Sequence, residues 1–145
     1  MKTPNGFVEQ FTKEKIDDIR LNNDFFESNP DLEKISENIF PVKNYPGAFL
    51  GEVKKNEFIP SIYLLEWISK RTDNKIFLNS KSEWFFLCKR DVFFENIIKN
   101  NSTKKIFLVQ NEKDENLGFG KLMNHQGKRM IKNLIDRGDF LRRER

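Results

Sequence analysis

A chain of 145 residues can bury one core, or two small cores packed together, which excludes large multidomain machinery. Charged residues make up 33% of it, which is polar for a folded protein, yet 15 phenylalanines are more than a disordered chain carries, so the chain is expected to fold. The net charge of +4 is modest but unevenly placed: residues 1–72 hold 10 Lys/Arg against 12 Asp/Glu, a net of −2, and residues 73–145 hold 16 against 10, a net of +6.

Over residues 7–40 the apolar positions Phe7, Val8, Phe11, Ile16 and Ile19 recur with helical spacing, and an interrupted helical region is expected, broken at Asn22–Asp24 ahead of Phe25 and Phe26. A second short helix is expected from Asp31, which can cap it before Leu32, Ile35 and Ile39, and Pro41 and Pro46 then bracket a loop. Ala48, Phe49, Leu50 and Val53, the turn-like Lys54–Asn56 and the extended Phe58–Ile59 predict a hairpin. Ser61 stands where an N-cap belongs. Ile62, Leu64, Leu65, Trp67 and Ile68 form an apolar stripe ending at Lys70 and Arg71, so 61–71 reads as a helix.

From Lys75 the period changes. Ile76–Asn79, Glu83–Cys88, Lys105–Gln110 and Asn116–Leu122 are short β-prone runs between polar turns, the pattern of a small, strongly curved sheet or barrel. Residues 128–137 read as a helix, with Met130, Ile131, Leu134 and Ile135 on one face, Lys128, Arg129 and Lys132 on another, and Gly138 as its stop; Phe140 and Leu141 return to extended chain. No repeat, low-complexity tract or flexible linker separates the halves. The expected fold class is α+β, with a small N-terminal α/β domain over 1–72 packed on a C-terminal β pseudo-barrel with a C-terminal helix over 73–145.

The inventory of reactive side chains is thin. Cys88, the single cysteine, sits in the apolar run WFFLC; it can form no internal disulfide, and a core position in a reducing compartment is expected. The N-terminus lacks the apolar stretch of a signal peptide and no window approaches a membrane span, so a cytoplasmic location without a membrane partner is expected. His125, the single histidine, lies in the turn-like MNHQG without companions for a zinc site or a triad and reads as a loop residue. Asp136 and Asp139 flank Gly138, where carboxylates that accept hydrogen bonds at a helix end are commoner than an acid/base pair. LGFGK at 117–121 is neither a dinucleotide fingerprint nor a P-loop, and glycines spaced by two in a strand mark a bulge or a close backbone approach. No catalysis, metal, cofactor or small-molecule substrate is therefore expected.

A polyanion fits better. Residues 121–145 carry 8 Lys/Arg and 3 Asp/Glu, a net of +5, and Lys121, Lys128, Arg129, Lys132, Arg142, Arg143 and Arg145 are candidates for contact with RNA phosphates. Gly118 and Gly120 would let RNA lie against the strand, and Trp84 or Phe119 could stack on unpaired bases, while Phe77, Phe85, Phe86, Phe93 and Phe94 are assigned to the core. The alternative is a protein-interaction scaffold whose basic tail meets an acidic partner.

The string NLIDRGDFLRRE, Asn133 to Glu144, resembles the closing segment of PUA domains, in which a helix is followed by an Asp-x-Gly-x-aromatic-Leu-Arg turn into the last strand; LGFG at 117–120 resembles the glycine-bearing strand before it. Upstream, GAFLGEVKKNEFIPSIYLLEWISKRTDNKIFLNSKSEWFFLCKRDVF resembles the junction region of the Nip7 family of ribosome biogenesis proteins, in which a small α/β domain precedes a PUA domain. The resemblance covers about residues 47–145. It implies an archaeal or eukaryotic-type protein that binds single-stranded or looped precursor ribosomal RNA through residues 73–145, without chemistry and with ribosome assembly proteins as partners. An RNA-targeting module that serves a tRNA- or rRNA-modifying enzyme is the alternative it leaves open.

Overall fold

A computed structural model describes residues 2–28 and 47–139. The helix expected from Asp31, the loop between Pro41 and Pro46, and Phe140, Leu141, Arg142, Arg143 and Arg145 lie outside the described residues. The chain divides into two compact units, Met1–Arg71 and Thr72–Arg145.

Among the described residues of the first unit, one turn of helix forms where an interrupted helical region is expected: α1, Pro4–Val8, begins because the Thr3 side chain accepts from the Gly6 amide and Pro4 presets the first turn. The Asn5 side chain then binds both the amide and the carbonyl of Ile16, each at 2.9 Å, and turns the chain back on itself. Residues 18–27 are strands, not helix: β1 (Asp18–Leu21) and β2 (Asp24–Glu27) form an antiparallel hairpin. Asn22, the expected break, supplies its turn with φ +58. Apolar spacing misleads here because Phe25 is buried while its neighbours remain partly exposed, the alternation of a half-buried strand.

The expected hairpin is present as β3 (Phe49–Lys54) and β4 (Glu57–Pro60), joined by Lys55 and Asn56, both with positive φ. Helix α2, Ile62–Ser69, follows, with the Ser61 hydroxyl accepting from the Leu64 amide and donating to the Phe49 carbonyl. Its Leu64, Leu65 and Ile68 are buried, and the helix packs on β3. The four strands run in the order β1-β2-β3-β4.

The second unit is a six-stranded sheet of order β6-β10-β9-β8-β5-β7, built from β5 (Lys75–Leu78), β6 (Val92–Phe93), β7 (Ile97–Asn100), β8 (Ile106–Gln110), β9 (Asn116–His125) and β10 (Lys128–Asp136). All pairs are antiparallel except β5 with β8. Two expectations are corrected. The expected strand Glu83–Cys88 is instead the end of helix α3, Ser80–Leu87, and its cap Cys88, because the Asn79 side chain caps the Ser82 amide at 2.9 Å and turns an aromatic run that reads as strand into a helix with one buried face, Ser82 and Phe86. Residues 128–137 are not a helix. The two-residue turn Gln126–Gly127, both with positive φ, folds them back on β9 as its hairpin partner, and helical backbone begins only at Arg137, where buried Asp136 accepts from the Asp139 amide.

One cluster of this unit joins Phe86 of α3 to Ile76, Leu78, Phe107, Val109 and Ile131 on the inner face of the curled sheet. Cys88 is exposed and closes α3, contrary to its expected core position. The architecture is α+β, with few helices and two sheets among the described residues.

Candidate nucleic-acid interface

Strand alternation decides which cations share a face. On β9 and β10 the register sets Lys121 opposite Lys132, Met123 opposite Met130, and His125 opposite Lys128. These six side chains point away from the face that carries Ile131, and all are exposed or half-buried. Phe93 on β6 pairs with Met130, joins the same face and is 40% exposed, so its assignment to the core is corrected. The face is therefore a strip of lysines with two methionines and an aromatic ring between them.

Directly opposed residues in an antiparallel pair have Cβ atoms about 5 Å apart, and like charges there destabilise the sheet. Lys121 and Lys132 therefore cost stability in the free protein, a cost that a phosphate between them would relieve.

Arg129 has the opposite parity, that of Ile131, and its guanidinium lies over Phe94, which packs against the core cluster, at 4.5 Å, while the Lys128 ammonium lies 5.6 Å from the Phe93 ring centre. With Glu95 these four side chains line an open depression of about 320 Å³. Phe94 is half-buried. Val92 is buried and Phe93 exposed along β6, and that strand alternation is the signal in DVFFEN from which an outward ring could have been read.

The expected glycine positions are buried. An added Cβ at Gly118, φ +144, would overlap the Ile135 carbonyl, and one at Gly120 would come within 2.7 Å of the Lys132 carbonyl. The backbone that approaches closely is that of β10, beside the irregularity between Asn133 and Ile135. Of the expected stacking residues, Phe119 is 7% exposed and unavailable; Trp84 is 66% exposed but stands on α3, which packs on the inner face, away from the lysines. Among the described residues no group of three or more His, Cys, Asp or Glu side chains could hold a metal ion, and no helix is long and apolar enough to cross a membrane.

A protein-family comparison matches residues 74–145 to the family described as the UPF0113 PUA domain. Among curated relatives, a UPF0113 protein of Archaeoglobus fulgidus is 28% identical over 112 residues, covering 70% of this chain and 64% of that protein, and one of Aeropyrum pernix is 30% identical over 106 residues, covering 71% and 60%. The chain thus matches under two thirds of the length of either. Among solved structures, a conserved PUA domain protein from Thermoplasma acidophilum is similar with a TM-score of 0.56 at 16% identity, covering 97% of this chain and 90% of that one. Over residues 74–145 the sequence is thus similar to the UPF0113 PUA domain family, and the fold is similar to that of a PUA domain protein.

Proposed function

We propose that this protein binds single-stranded or looped RNA through the outer face of its second unit, performs no chemistry on it, and acts in the maturation of precursor ribosomal RNA beside ribosome assembly proteins. The observation that carries the reading is the opposition of Lys121 and Lys132 on a face that also presents Lys128 and the half-exposed Phe93. Regularly spaced cations serve a phosphate backbone, and an exposed ring serves an unstacked base, which a duplex would withhold. Arg129 and the tail residues Arg142, Arg143 and Arg145 add to the basic set, while Gly118 and Gly120 serve it by letting β10 lie close to β9. The ribosomal role rests on the resemblance of residues 47–145 to the Nip7 family, and a PUA match over 74–145 supports RNA as the ligand. The acidic first unit, net −2 over residues 1–72, is the half assigned to protein contacts.

The test is crosslinking in cells followed by sequencing of the bound RNA. Enrichment of ribosomal RNA precursors is the expected result. Enrichment of tRNA would favour a targeting module for a modifying enzyme, and no RNA above background would refute the reading.

A further inference from the structure

The depression at the edge of β6 and β10 contains one group that phosphate binding does not explain. It is lined by the aromatic residues Phe93 and Phe94, by the cations Lys128 and Arg129, and by the acidic Glu95. Beside a purely phosphate-binding site a carboxylate is a liability, because it repels the ligand that the cations attract. Nor is Glu95 explained as a local counter-ion: among the described residues its carboxylate makes no ion pair within 4.0 Å, although Lys128 and Arg129 line the same depression. Its volume of about 320 Å³ lies at the small end of ligand pockets, the size class of a single nucleotide.

We infer that this depression takes one unpaired guanosine nucleotide of the bound RNA, with the base stacked on Phe93, its phosphate met by Lys128 and Arg129, and its Watson–Crick edge read by Glu95. The inference rests on the RNA-binding reading above. An ionised carboxylate only accepts hydrogen bonds and presents two oxygens side by side. Guanine alone among the four bases places two donors side by side on that edge, N1–H and the 2-amino group. Adenine and cytosine each offer one donor beside an acceptor, and uracil offers one donor between two acceptors, so each sets a lone pair against the carboxylate. Phe93 contributes to every base, because every base has a π-face; Glu95 alone discriminates.

The experiment titrates the full chain by fluorescence anisotropy against a labelled oligouridine and against the same oligomer with one central guanosine, inosine, adenosine or cytidine. The guanosine probe should bind about tenfold tighter than the others, as a bidentate base contact is worth. Inosine lacks the 2-amino group and should forfeit most of that gain. Glu95→Gln, at an exposed position, should fold normally and bring all probes to within about twofold of one another, with oligouridine binding at least as tightly as before. Equal binding of all probes by the unaltered protein, inosine equal to guanosine, or a guanosine preference that survives Glu95→Gln would overturn the inference while leaving RNA binding intact. Failure of every probe to bind would refute the RNA reading itself.

Discussion

Lys132→Glu is expected to stabilise the protein and weaken its hold on RNA at the same time. Lys132 is exposed and sits opposite half-buried Lys121, so the substitution turns a like-charge pair into an opposite-charge pair at the same register. Cross-strand charge pairs on exposed sheet faces are worth about 0.2–1 kcal/mol, and reversing the sign should gain about 0.5–1 kcal/mol, or roughly 2–4 °C in melting temperature for a chain of this size. The gain should shrink at high salt, which screens both arrangements. Binding should move the other way, because one phosphate contact is lost and a carboxylate stands in its place: affinity should fall about tenfold or more, and the slope of log K against log salt should become shallower by about 0.7. Urea denaturation at low and high salt measures the first effect, and anisotropy titration over a salt series the second. Lys132→Met, which removes the charge without reversing it, should lie between. A Lys132→Glu protein less stable by more than about 1 kcal/mol, or one that binds RNA as the parent does, would refute the reasoning from register.

Gly118→Ala should destabilise by about 2–4 kcal/mol in urea denaturation, because φ +144 disfavours any side chain and the new Cβ would overlap the Ile135 carbonyl; a neutral result would contradict the close strand packing. The Tyr63 phenol donates to Glu27, and that hydrogen bond, followed by burial and the Glu27 charge, raises its pKa above the ordinary 10.0. Because the folded value is the higher one, the bond's stabilisation is whole below the unfolded pKa and is lost as pH rises through the folded value, so Glu27→Gln should bring the phenolate absorbance transition back toward the ordinary range. His125→Ala should leave stability within about 0.5 kcal/mol, since the ring is exposed at the end of β9, and should reduce RNA affinity far less than Lys132→Glu; loss of all function on this change alone would mark a catalytic protein.

Local chemistry predicted some elements and tertiary pairing decided others. The hairpin at 49–60 and the helix after Ser61 were legible because their signals are local, in turn residues that tolerate positive φ and a serine that caps. Residues 128–137 misled because Met130, Ile131, Leu134 and Ile135 fall at helical spacing, yet the turn at Gln126–Gly127 ahead of them was already readable in MNHQG, and a two-residue turn followed by Lys-Arg-Met-Ile permits a strand equally well. Which it becomes depends on the partner β9, and that is not local information. The lysines of the candidate site were legible as charge. Their opposition across two strands was not, because register exists only once the hairpin forms. Phe93 was lost to the core for the same reason: burial of an aromatic depends on which face its strand turns inward.

The most direct test of the central claim is the salt dependence of RNA affinity for the intact chain beside a variant with Lys121, Lys128 and Lys132 all changed to Gln. With three phosphate contacts from this face, each worth about 0.7 in the slope of log K against log salt, the variant should lose about two units of slope and, with the like-charge pair removed, be at least as stable as the parent. Equal slopes for parent and variant, or no RNA binding by the parent at low salt, would contradict the claim that this sheet face holds RNA.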